Sequence, residues 1–235
     1  MTLRLITFDL DDTFWHAAPV IDGAEAALRD WLADHAPKLG PFPIERLSAL
    51  RQRLVAAEPG LAHRISALRR QVLACALVEA GYAPEEAGAL AEEGFAAFLD
   101  ARHRIPVFPE VQPTLEFLAN HYRLGVLTNG NADVARLGLA DYFHFTLCAE
   151  DLGVGKPDPR PFEEALRRAG VSPGEAVHVG DHPLDDIAGA KGAGLRAVWF
   201  NPHGRDWARQ DLLPDATIGS LRELPALLSG WRHPA

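Results

Sequence analysis

Two hydrophobic rhythms divide the chain. Residues 3–8 (LRLITF) are a short, largely apolar and partly β-branched run, which predicts a buried β-strand. Residues 21–35 switch to helical spacing, with Ile21, Ala24, Leu28, Trp31 and Leu32 on one side. Pro37, Gly40, Pro41 and Pro43 break that pattern. From Ile44 to Arg102 the chain is rich in Ala, Leu, Arg and Glu, with breaks at Pro59-Gly60 and at Gly81-Tyr82-Ala83-Pro84. Three more helices fit, over 44–57, 61–80 and 84–102, with no strand pattern among them. Trp31, Tyr82, Phe95 and Phe98 fall at helical spacing and read as core, whereas Arg102, His103 and Arg104, near the return linker, read as solvated surface or, less simply, as substrate contacts.

After IPVFP (105–109) strands and helices alternate. A helix over 110–121 precedes the strand RLGVLTNG, and a short helix over 131–138 precedes the strand FHFTLCAE. PRPFEEALRRAG predicts a helix closed by Gly170. EAVHVGD predicts a strand, 184–193 a helix and LRAVWF another strand, with strand-like ATIG and helix-like LRELPALL beyond. Repeated strand–helix units imply a parallel sheet covered on both faces. The first strand belongs with them. The expected organisation is therefore a Rossmann-like α/β core over 1–14 and 106–235, with an all-helical domain inserted over 15–105.

Composition narrows the function. The 235 residues, 48% of them apolar, suffice for a substantial core. A formal net charge of -9 argues against a general nucleic-acid or anionic-membrane surface. The two cysteines, Cys75 and Cys148, form neither a disulfide framework nor a metal spacing. The start MTLRLITFDL lacks the features of a signal peptide, and no apolar run approaches the ~20 residues that span a bilayer. The expected setting is the cytoplasm, and monomer and homodimer both remain open.

The strands end in unusual company. FDLDDT places Asp9, Asp11 and Asp12 within four residues, and such density requires a cation or a protonated carboxyl if the strand end is packed. The other strands run into LTNG, GVGKPDP and HVGDHPLDD. Ligands of open parallel sheets bind outside the carboxyl ends of the strands. The sheet would thus gather Asp9, Asp11, Thr128, Lys156 and Asp181, residues that local structure alone could not assemble. Taken singly, each has a plain reading as a turn, cap or surface residue. Together they suggest phosphoryl chemistry. Asp9, Asp11 and Asp181 offer hard oxygens suited to magnesium (Mg2+). One carboxylate can attack phosphorus, and the second, if protonated, can donate to the leaving oxygen. Thr128 and the N–H of Asn129 can bind phosphoryl oxygens, and Lys156 supplies fixed positive charge.

FDLDDT, LTNG, GKPDPRPF and VGDHPLDDIAGAKGAG, in this order, resemble the four motifs of the haloacid dehalogenase superfamily. The resemblance implies a phosphatase-type active site in which Asp9 is the nucleophile and Asp11 the general acid/base. It implies magnesium on Asp9, the Asp11 carbonyl oxygen and Asp181, with Asp186, or its neighbour Asp185, supporting the lysine or the metal. It implies that the helical insert is a cap. The dehalogenases of the superfamily lack an acid two residues after the nucleophile, so Asp11 points to phosphate esters. More narrowly, TFDLDDTFW, TNGNADVARLGLADYFHF and VHVGDHPLDDIAGA resemble bacterial phosphatases acting on FMN and on 5-amino-6-(5-phospho-D-ribitylamino)uracil, a riboflavin precursor. Phosphatases of sugar phosphates or 2-phosphoglycolate and a phosphomutase share the same core motifs. A phospho-receiver module shares the residue types but has about half this length. Phe14, Trp15 and His16 carry two readings, a stacking face for a flat substrate ring or a seal between domains. His63, His121, His144, His178 and His203 show no metal spacing and receive no role, while His182, beside Asp181, reads either as a neighbour of the site or as a surface turn residue.

Overall fold

The computed structural model describes residues 2–41, 44–208 and 212–232, so the expected breaker Pro43 lies outside the described residues. In chain order, β1 (Leu5–Phe8) is followed by α1 (Ala17–His35), α2 (Ile44–Ala57), α3 (Ile65–Glu79) and α4 (Pro84–Arg102). Then come α5 (Val111–Ala119), β2 (Arg123–Thr128), β3 (Phe145–Cys148), α6 (Ala149–Leu152) and α7 (Pro159–Ala169). β4 (Ala176–Gly180), a π-helical turn (Pro183–Ala188), α8 (Gly189–Gly192), β5 (Arg196–Phe200), β6 (Ala216–Ile218) and α9 (Leu224–Arg232) complete the order. The chain forms two compact units, Met1–His16 with Pro106–Ala235, and Ala17–Ile105.

The first unit is built on a parallel six-stranded sheet in the order β3-β2-β1-β4-β5-β6. β1 and β4 are buried along their whole length, which is why both read as apolar runs rather than alternating ones. β1 lies between β2 and β4, so the strand order reverses there and a crevice forms at the carboxyl ends. Register aligns the site. Phe8 pairs with Val126 on one side and Val179 on the other, which brings Asp9 level with the ends of β2 and β4. α7 has Asp158 as its N-cap, accepting from the Arg160 N–H, and Gly170 beyond its end in the left-handed region at φ 62°.

The second unit is helical throughout its described residues, with α1 against α4 and α3 against both α2 and α4. Leu28, Leu32, Leu73, Leu77, Phe95 and Phe98 are among the residues of its core. Tyr82 is buried as its spacing predicts, while Trp31 is only half-buried and stacks on His35 at 4.3 Å. Gly94 admits the Trp31 ring, since a Cβ there would lie 3.2 Å from it. Among the described residues no helix is long and apolar enough to cross a membrane.

Three local expectations are corrected. Residues 131–138 form turns rather than a helix. The segment is short, and Asp133 closes an Asx turn on the Ala135 N–H at 2.8 Å, a local bond that competes with a helical one. The helix over 184–193 opens as a π-helical turn, because the His182 carbonyl takes both the Asp186 and Ile187 N–H groups. Arg102 is buried, 1% exposed, where a solvated surface residue was expected.

Candidate active site

The first strand leaves the sheet through a tight loop. The N–H groups of Thr13 and Phe14 both donate to the Leu10 carbonyl, at 3.1 and 2.8 Å. Asp12 adopts φ 57°, a left-handed conformation that Asp tolerates better than most residues. This brings Trp15 back alongside Asp11, and its indole Nε1–H donates to Asp11 Oδ1 at 2.8 Å. Phe14 and Trp15 are fully buried, so neither offers a stacking face to a substrate ring. Phe14 packs on Phe8 and Phe143 instead.

Asp9 and Lys156 meet at the centre. Lys156 Nζ donates to Asp9 Oδ1 and to Asp186 Oδ1, both at 2.6 Å, and all three residues are buried. It is thus Asp186, not Asp185, that reaches the lysine. Asp185 lies 3.4 Å from Asn129 Nδ2. The π-helical turn aims Asp186 inward, and its Oδ2 accepts the His182 N–H at 2.8 Å. Gly180 makes room, because a Cβ there would overlap the Asp186 carboxyl group. Carboxylate oxygens of Asp9, Asp181 and Asp186 lie within 4.8 Å of one another and could hold a metal ion. The side chain of Asp11 is not in that group.

Thr128 is buried at the end of β2, and its Oγ1 accepts the Gly130 N–H at 3.0 Å. Its hydroxyl proton can then serve another acceptor. A Cβ on Gly130 would lie 2.6 Å from Asp11 Oδ2 and 3.3 Å from Thr128 Oγ1, so this glycine keeps the space between them open. Asn129 clamps the lysine loop: its Oδ1 accepts the Lys156 N–H at 2.8 Å and its Nδ2 donates to the Lys156 carbonyl at 2.9 Å. That bridge also demands Gly155, where a Cβ would lie 2.5 Å from Asn129 Oδ1.

A family model described as haloacid dehalogenase-like hydrolase matches residues 3–194. The chain belongs to this family. Among curated relatives of this hydrolase, the 5-amino-6-(5-phospho-D-ribitylamino)uracil phosphatase YigB of Escherichia coli is 36% identical, over 96% of each chain. A phosphoserine phosphatase of Thermus thermophilus is 37% identical, over 94% of this chain and 98% of the relative. Among solved structures, one titled 2-haloacid dehalogenase, from Pseudomonas syringae pv. Tomato, is 63% identical with a TM-score of 0.96, covering 98% of this chain and 100% of that one.

Electrostatics set the hydrolase up to receive a cation. Burial, with the charges of Asp186 and Asp11, raises Asp9 well above the ordinary carboxylate range, although Lys156 opposes the shift. Burial, with Asp186 and Asp12, pushes Asp181 up to about 6, partly offset by Arg205. Burial would lower Lys156 and raise Asp186, but their mutual attraction reverses both, leaving an ammonium and a carboxylate. Three carboxyl groups thus face one lysine, and a divalent cation among their oxygens would relieve the repulsion. The donor set is all oxygen, which suits a hard ion.

Three contributors escape a reading of the sequence. His178 is fully buried in β4, with Nε2 3.1 Å from Asp186 Oδ1 and Nδ1 2.9 Å from Thr7 Oγ1. Burial lowers its pKa, and the Asp186 carboxylate can only accept, so the ring proton sits on Nε2 and Nδ1 accepts from the Thr7 hydroxyl. Trp199 Nε1 donates to the Asp181 carbonyl at 2.8 Å, and Arg205 lies 3.4 Å from Asp181 Oδ2. The lone polar residue inside the apolar run AVHVG was the one available signal for His178.

Proposed function

We propose that this hydrolase is a magnesium-dependent phosphomonoesterase working through an aspartyl-phosphate. The observation that carries the reading is the second carboxyl. Asp11 stands two residues after Asp9, held by Trp15, with Oδ2 facing the space beside Gly130 and Thr128. Asp9 attacks phosphorus as the bond to the leaving oxygen breaks, and Asp11 gives that oxygen its proton. Water then cleaves the acyl phosphate, with Asp11 accepting the proton. The Thr128 hydroxyl, the Asn129 N–H and Lys156 hold phosphoryl oxygens throughout. Magnesium held by Asp9, Asp181 and the Asp11 carbonyl, with Asp186 close by, would neutralise phosphoryl charge. We assign substrate choice to the helical unit, as a cap. The full-length similarity to the ribitylaminouracil phosphatase supports a riboflavin-pathway ester as substrate.

The likeness to a 2-haloacid dehalogenase at 63% identity favours a second reading, halide displacement. A departing halide needs no proton and no cation, so that chemistry leaves Asp11 and the acidic group unexplained. Phosphate release decides between them. FMN, the ribitylaminouracil phosphate, sugar phosphates, phosphoserine and 2-phosphoglycolate are assayed with magnesium and with chelator, and 2-chloropropionate is assayed for chloride. Magnesium-dependent phosphate release without chloride release is expected. Chloride release without phosphate release would overturn the proposal.

A further inference from the structure

We propose that Trp15 is a positioning residue that fixes which oxygen of Asp11 meets the leaving group. The inference rests on the phosphatase reading and adds a residue to it. Trp15 is fully buried, and its indole nitrogen is a donor only. At 2.8 Å it occupies Asp11 Oδ1, and the carboxyl plane then turns Oδ2 toward Gly130 and Thr128. The backbone supports the arrangement from below, since the Leu10 carbonyl and the left-handed Asp12 set the loop that returns Trp15 to Asp11. A general acid must point its proton at the oxygen it protonates. In the first chemical step the Asp9–phosphorus bond forms, the bond from phosphorus to the ester oxygen breaks, and the proton on Asp11 Oδ2 passes to that oxygen. The indole N–H takes no part in the transfer. It removes the alternative orientation in which Oδ1 faces the ester.

The test uses the leaving group. p-Nitrophenol departs as an anion and needs little protonation, whereas an alkyl alcohol needs a full proton. kcat/KM covers the steps up to aspartyl-phosphate formation, where the leaving group is lost. For Trp15→Phe, kcat/KM on an alkyl phosphate should fall about 10- to 100-fold, a part of the ~100- to 10,000-fold that a general acid contributes. The fall on p-nitrophenyl phosphate should be at least tenfold smaller. In an Asp11→Asn background, Trp15→Phe should cost the alkyl ester nothing further, because the group it orients is gone. Trp15→β-(3-benzothienyl)alanine keeps the bicyclic ring, exchanges Nε1–H for sulfur, and gives the same readout should the phenylalanine variant not fold. Equal losses on both esters, or a further tenfold loss in the Asp11→Asn background, would overturn the inference and leave the phosphatase reading standing. A wild-type enzyme that cleaves aryl esters but no alkyl ester would overturn it as well. Wild-type enzyme that releases phosphate from neither ester would sink the phosphatase reading itself.

Discussion

In the helical unit Glu79 takes Arg46 at 2.8 Å and Arg53 at 3.2 Å, with all three side chains 35% exposed or more. In the α/β unit Lys156 takes Asp9 and Asp186 at 2.6 Å, with no side chain more than 11% exposed. Both clusters are three-membered ion-pair groups, one acid between two cations and one cation between two acids, and their surroundings are opposite. Water screens the first, which adds little to stability. The second has given up its hydration, and well-packed apolar residues in its place would hold the fold equally well or better. The helical unit follows that rule, filling its interior with residues such as Leu28, Leu77 and Phe98. The α/β unit departs from it with Asp9 and Thr128 at the ends of β1 and β2, Lys156 in the loop before α7, His178 within β4 and Asp186 in the π-helical turn after it. Packing does not account for these groups, and the phosphoryl transfer proposed above does.

Substitutions can break the contrast. The largest effect is expected from Asp9→Asn, which should lower phosphate release by about a thousandfold or more, the scale of losing a nucleophile. The amide keeps the shape of the carboxyl, so the circular dichroism melt should stay near that of the wild type; retained turnover would remove Asp9 from the mechanism. Next comes Lys156→Met, which strands two buried carboxyl groups and should cost about 3–5 kcal/mol in urea unfolding. Arg46→Met in the helical unit should shift the urea midpoint hardly at all, and equal shifts would erase the distinction between the clusters. His178→Leu deprives Asp186 of one donor and the Thr7 hydroxyl of its acceptor, for an expected loss of about 1–3 kcal/mol. His178→Gln, which can restore a donor, should recover part of it.

The smallest effect is a matter of pH. The Asp181 carboxyl titrates near 6 in the folded chain, against about 3.9 when exposed. Between these values the folded chain holds more protons than the unfolded one. The contribution of Asp181 to the stability of the metal-free protein should therefore fall as pH rises from about 4 to about 6, read as the difference between wild type and Asp181→Asn. Magnesium competes with that proton, so its addition should raise Tm more at about pH 7.5 than at about pH 5.5. An equal gain at both would take Asp181 out of the metal site.

Much of this was legible along the chain because the signals are local. Apolar runs gave the strands, spacing gave α1 to α4, Asp9 and Thr128 stand where such runs end, and Lys156 follows in the loop after α6. What was not legible depends on contacts between distant segments. His178 gains its meaning from Thr7, which faces it across the β1–β4 register. Trp15 reads as a stacking face or a seal until the left-handed turn at Asp12 brings its N–H to Asp11. The choice between Asp185 and Asp186 waits on the π-helical turn, because an ordinary helical start would aim the two differently. Asn129 enters the sequence reading only through its backbone N–H, yet its side chain fastens the loop carrying Lys156.

The position of β1 in the middle of the sheet has a consequence for how the molecule is made. Its neighbours β2 and β4 come from far along the chain, and Lys156 is 147 residues from Asp9. Such long-range pairing slows folding, since loop-closure entropy is lost before the contacts that repay it can form. The helical unit is one continuous stretch with its own core and can condense while a ribosome is still adding β4. The acid-rich end of β1 must wait for both partners, so the candidate site is among the last parts of the enzyme to come into being.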